Sequence, residues 1–153
     1  FDLGLNWFGG RALMSMRLEK SWGAWGLEYR PDFNVMESGL SAFVNWNKDF
    51  IGKRASLKAK ENDLKQKLVT LMIETDGIDV SNDEAIIHDG LAVGYVSSGG
   101  YGHRIKKSIA MGYVKTEALT PGARFQVEIL GKYYDAQILD SVLYDATGAN
   151  FRA

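Results

Sequence analysis

The apolar positions of this chain change rhythm once, near residue 65. Before that point they fall at helical spacing or scatter. After it they recur in short β-rich runs separated by turn residues. Residues 9–19 read as a helix, since Ala12, Leu13, Met14, Met16 and Leu18 are good helix formers. These residues occupy more than one face, which predicts a helix buried on two sides. Arg17 and Glu19 are its polar exceptions, and Glu19 is expected to pair with a basic group, because a buried carboxylate needs a partner. Residues 21–31 hold Gly23, Gly26 and Pro31 and read as irregular. Residues 41–46 alternate weakly and predict a short strand. From Asp49 the chain turns into a second helix that runs to about Leu64, with Arg54, Lys58, Lys60, Glu61 and Lys65 on a solvated face.

Beyond Lys67 the pattern predicts strands over residues 68–74, 84–88, 91–97, 108–115, 125–130 and 133–139. Asp89-Gly90 and Gly131-Lys132 are expected hairpin turns, since glycine accepts positive φ, and Thr120-Pro121-Gly122 is a break. About six short strands at this spacing predict a small antiparallel β-barrel. The expected fold class is α+β: a helical and short-strand tail over residues 1–66, then the barrel over residues 67–153.

Charge adds exclusions rather than a function. The 18 basic and 19 acidic residues are mixed along the chain, so a nucleic-acid surface is not expected. Nor is membrane binding, as no apolar run approaches the roughly 18–20 residues that span a bilayer. The chain has no cysteine, which removes disulfides, thiol nucleophiles and thiolate metal sites and fits a reducing compartment. Phe1-Asp2-Leu3-Gly4 shows no signal-peptide pattern, and the expected location is cytoplasmic.

Few residues offer chemistry. Ser97-Ser98-Gly99-Gly100-Tyr101-Gly102-His103 is glycine-rich but lacks P-loop spacing and a Rossmann context, so it reads as a tight connection or a bulge. His88 and His103 have no ligand-spaced partner, and no metal site is expected. No GxSxG elbow supports a serine triad, and no catalytic residue is assigned. Trp22 and Trp25 stand apart, because they lie in the glycine-bearing irregular segment. Two indoles there could wall a slot for an aromatic ligand, or could cover the junction between helix and barrel as core residues.

One ordered set of motifs adds a family. Ala12-Leu13-Met14-Ser15-Met16 precedes Arg17-Leu18-Glu19-Lys20-Ser21-Trp22-Gly23-Ala24-Trp25-Gly26, then Asn34-Val35-Met36-Glu37-Ser38-Gly39-Leu40 and Asp49-Phe50-Ile51-Gly52-Lys53. Gly94-Tyr95-Val96-Ser97-Ser98-Gly99 and Lys107-Ser108-Ile109-Ala110-Met111-Gly112-Tyr113-Val114 follow. The set resembles the folate-binding C-terminal module of the aminomethyltransferase (glycine-cleavage T-protein) family. Leu13 stands where T-proteins carry an arginine that helps hold the pterin, and Ala42, next to Phe43, where some carry a tryptophan. With the Arg-Leu-Glu-Lys-Ser-Trp wording, these departures resemble the branch fused to dimethylglycine and sarcosine dehydrogenases.

The resemblance implies that residues 1–66 are the end of a folate-binding domain and residues 67–153 the family's C-terminal barrel. It implies tetrahydrofolate as cofactor, with Trp22 and Trp25 beside it. It also implies FAD in an upstream domain, a small methylamine substrate, and packing on N-terminal domains that this chain lacks. The family's general-base aspartate and pterin-binding glutamate lie upstream of the matching segment, so the chain alone is expected to be inactive. A fragment of a glycine-cleavage T-protein, a folate-dependent demethylase, and a non-catalytic barrel for packing or partner contact are the alternatives.

Overall fold

The computed structural model describes Gly4, residues 6–150 and Arg152. Two helices come first, α1 (Gly10–Glu19) and α2 (Lys53–Glu61). Six strands follow: β1 (Gln66–Ile73), β2 (Ala85–His88), β3 (Leu91–Gly102), β4 (Lys107–Lys115), β5 (Phe125–Ile129) and β6 (Lys132–Ile138). They close into an antiparallel barrel in the order β1-β4-β3-β2-β5-β6, the small α+β barrel fold expected from the turn spacing.

Two two-residue hairpins set much of the register. Asp89 and Gly90 take φ of 49° and 76°, and His88 pairs with Leu91. The β5–β6 turn is Leu130-Gly131, with φ of 49° and 76°, so that Ile129 pairs with Lys132. The expected Gly131-Lys132 turn is thus displaced by one residue. Both central positions need positive φ, and glycine takes the second in each hairpin.

Strand β4 is buried along almost its whole length because it is covered on both faces. Ala110 and Val114 point into the barrel core with Leu71, Ile86, Val96 and Val127, while Ile109 and Met111 pack outside against Leu18 of α1. This is the two-residue alternation of a strand with a layer on each side.

Three further expectations are corrected. Helix α1 is buried only at Arg17, Leu18 and Glu19, and Leu13 and Met16 are 52% and 47% exposed. Its buried residues all lie at its C-terminal end, where Leu18 packs against Ile109 and Met111 of β4. Glu19 pairs with no basic side chain among the described residues. Its Oε1 accepts the backbone N–H groups of Arg104 at 2.7 Å and Ile105 at 3.3 Å, which satisfies a buried carboxylate just as well. Residues 41–46 form no strand. Ser41–Phe43 is a 3-10 turn in which Phe43 and Val44 donate to the carbonyls of Leu40 and Ser41. The glycine-rich stretch holds the bulge that is one of its two expected readings, between Val96 and Ser98, and β3 continues through it to Gly102. A Cβ at Gly99 would collide with Val80 and one at Gly102 with Ile105 and Ile109, so close approach explains the glycines there.

Candidate functional site

The end of α1 places Trp22. Ser21 adopts φ of 53°, its N–H bonds the Leu18 carbonyl at 2.9 Å, and the Trp22 N–H bonds the Arg17 carbonyl at 2.9 Å. This is a Schellman ending with serine where glycine is usual. The chain then folds into a compact loop. The Ala24 carbonyl accepts the N–H groups of Leu27, Glu28 and Tyr29, and Trp25 forms a single bridge with Tyr29.

That loop turns Glu28 inward until its side chain is wholly buried. Its carboxylate takes an ion pair from Arg17 Nη1 at 2.9 Å, the Ala24 N–H at 2.7 Å and the Ser97 hydroxyl at 2.6 Å, and the Ser98 hydroxyl donates to it as well. The Glu28 carbonyl accepts the Tyr113 hydroxyl at 2.9 Å, and that phenol also bonds Ser38 at 2.9 Å. Phe33 stacks on the Tyr113 ring with centroids 3.6 Å apart. Burial lowers the Arg17 pKa, opposed by the Glu28 carboxylate, and arginine's high starting value keeps it charged. Burial pushes the Tyr113 phenol up to about 12, against the pull of the Ser38 hydrogen bond. The network is a structural tie between α1, the loop and strands β3 and β4.

Two grooves open on either side of Trp22. The first, about 770 Å³, runs past Gly23, Tyr29, Leu40, Phe43 and Met111. The second, about 900 Å³, lies against the exposed face of α1 and is walled by Leu13, Met16, Arg104 and Tyr144. Trp22 belongs to both walls. Trp25 is 89% exposed and belongs to neither, so the structure does not bring the two indoles into one slot. That exposure also sets Trp25 apart from core packing.

The other candidates sit elsewhere. His88 Nδ1 contacts the Arg124 carbonyl at 2.8 Å at the far side of the barrel, and His103 meets the Tyr101 ring edge-on. Among the described residues no group of three His, Cys, Asp or Glu side chains could hold a metal. Among them too, no helix is long and apolar enough to cross a membrane. Sequence reasoning missed Glu28 altogether, and read Ser97 and Ser98 only as the end of a strand and the start of a tight connection or bulge, with no partner assigned to either hydroxyl.

Residues 66–145 match the family described as glycine cleavage T-protein C-terminal barrel domain. The chain belongs to this family. It is 43% identical over 142 residues to human mitochondrial dimethylglycine dehydrogenase, an alignment covering 92% of this chain and 16% of that protein. It is 32% identical over 132 residues to an aminomethyltransferase of Synechocystis sp., covering 85% of this chain and 35% of the relative. Among solved structures it superimposes on glycine cleavage system aminomethyltransferase T from Bartonella henselae with a TM-score of 0.82 and 25% identity. That match covers 92% of this chain and 40% of the other. This T-protein barrel chain therefore spans a minor part of the relatives it matches.

Proposed function

We propose that this T-protein barrel chain is the C-terminal folate-binding portion of a dimethylglycine/sarcosine dehydrogenase-like enzyme. That enzyme passes a one-carbon unit from an N-methyl amine to tetrahydrofolate. The observation that carries the reading is the 43% identity to human dimethylglycine dehydrogenase across 92% of this chain, against 32% to the Synechocystis aminomethyltransferase. Leu13 in place of the T-protein arginine points the same way.

In this reading residues 1–66 complete a folate-binding domain and residues 67–153 are the barrel that braces it. FAD and the methylamine site belong to an upstream domain. The expected compartment remains the cytoplasm, as proposed from the cysteine-free sequence, although the human, mouse and rat relatives are named as mitochondrial.

The residues present suit a flat, partly apolar ligand. The second groove combines the exposed Trp22 indole with Leu13 and Met16, and its volume of about 900 Å³ is of the size that small-molecule sites take. Tetrahydrofolate, when bound, supplies the acceptor for the one-carbon unit. This chain's part is to bind and orient it, with Trp22 stacking on a ring and Trp25 flanking the site; we assign no proton transfer to any residue here.

The test uses the full-length protein with dimethylglycine, with and without tetrahydrofolate. The oxidised methyl carbon is expected as methylenetetrahydrofolate when the cofactor is present and as formaldehyde when it is not. A formaldehyde yield unaffected by tetrahydrofolate refutes the reading.

A further inference from the structure

We propose that Arg104 is the carboxylate receptor of the groove between α1 and Tyr144, binding the glutamyl end of a folate whose ring lies against Trp22. This rests on the reading of that groove as a tetrahydrofolate site and adds how its far end is recognised.

The groove is lined by four basic side chains, Arg17, Lys20, His103 and Arg104. Arg17 is committed to Glu28 at 2.9 Å and is almost wholly buried. Lys20 Nζ is committed to Asp145, at 2.6 Å from its carbonyl and 3.3 Å from its carboxylate. The His103 ring packs edge-on against Tyr101. Arg104 alone among these is an exposed guanidinium that forms no ion pair with the described residues. The acidic groups of the groove leave it that role, since Asp145 is taken by Lys20 and the Glu19 carboxylate by two backbone N–H groups.

Arg104 is also held in place before any ligand arrives. Its backbone N–H is fixed by the Glu19 carboxylate at 2.7 Å, and its guanidinium lies 4.8 Å from the centre of the Tyr144 ring. Tyr144 is in turn fixed by its own N–H to the Glu19 carbonyl at 3.2 Å. One buried residue at the end of α1 thus anchors both halves of the stack. A guanidinium stacked on a ring keeps its in-plane N–H fork available for a carboxylate, and immobilising it in advance removes part of the entropic cost of binding. Leu13, Met16 and Trp22, which line the same groove, offer apolar and aromatic surface. A ligand that satisfies both ends carries a flat ring system and a carboxylate on one molecule.

The experiment uses the full-length protein, with tetrahydrofolate and tetrahydropteroate, which lacks the glutamyl group, as probes. Arg104→Ala is expected to weaken tetrahydrofolate binding about tenfold and to leave tetrahydropteroate binding unchanged, with Arg104→Lys between. Equal effects on both probes, or no effect on either, overturn the proposal while leaving the folate reading in place. A loss confined to the KM for dimethylglycine in flavin reduction would assign the carboxylate to the amine substrate and overturn it too. A wild-type protein that binds neither probe overturns the folate reading itself and this proposal with it. Melting temperatures of the variants should match the wild type, because the side chain is exposed.

Discussion

The Arg17 guanidinium and the Glu28 carboxylate form a 2.9 Å ion pair in which Arg17 is 7% exposed and Glu28 is wholly buried. It links the last turn of α1 to the loop that carries Trp22 and Trp25, and through Ser97 and Ser98 that loop is tied to β3. Arg17 Nη1 also donates to the Trp22 carbonyl at 3.1 Å, so the same guanidinium holds both the pair and the loop.

Removing one partner should therefore cost more than an average core change. Glu28→Ala leaves a buried guanidinium uncompensated, with Arg17 Nη2 already lacking a hydrogen-bond partner among the described residues. The expected loss is about 3–5 kcal/mol in urea unfolding. A loss below about 1 kcal/mol would mean that water reaches Arg17 and that the pair is peripheral.

Ser21 marks a position where the sequence works against its own backbone. A non-glycine residue at φ of 53° is strained by roughly 1–2 kcal/mol, while glycine gives back about 0.5–1 kcal/mol of unfolded-state entropy. Ser21→Gly is expected to raise stability by up to about 1 kcal/mol. A drop would show that the serine side chain makes a contact worth more than the strain.

Tyr113 gives a pH signature. Its phenol rises from 10.0 in the unfolded chain to about 12 when folded. A raised acid contributes stability that is complete below the unfolded value and disappears as pH climbs through the folded one. Stability should hold to about pH 10 and fall between about pH 10 and 12. Tyr95 and Tyr134 are raised too, so the comparison is with Tyr113→Phe, which should be less stable at neutral pH and lose less on alkalinisation. Parallel pH curves for the two proteins would assign the alkaline loss elsewhere.

The two tryptophans should part company. Trp22→Ala is expected to weaken tetrahydrofolate binding by the full-length protein roughly tenfold, the upper end of what ring stacking adds beyond burial. Trp25→Ala should have a smaller effect, since its ring stands outside both grooves. Flavin reduction by the amine should stay near normal in both. Unchanged folate affinity with a lowered melting temperature for Trp22→Ala would make this indole a packing residue.

Local chemistry made the barrel legible in the sequence. Asp89-Gly90 takes positive φ at both turn positions, and the short apolar runs between such turns form strands whose successive side chains face opposite sides. The start of α1 and the order of the family motifs were legible for the same reason, since each depends on residues close in the chain. How deeply α1 is buried was not, because that depends on what lies over Leu13 and Met16 rather than on their own spacing.

The site was decided by tertiary structure alone. Glu28 meets Arg17 across 11 residues and Ser97 across 69, and Glu19 meets Arg104 across 85. No periodicity encodes these partners. Glu28 is a lone acidic residue in a glycine-bearing loop, and nothing local to Ser97 and Ser98, at the bulge of β3, marks their hydroxyls as donors to a distant carboxylate. A carboxylate can be buried only where donors from several segments converge on it, and that convergence exists only once the barrel has closed.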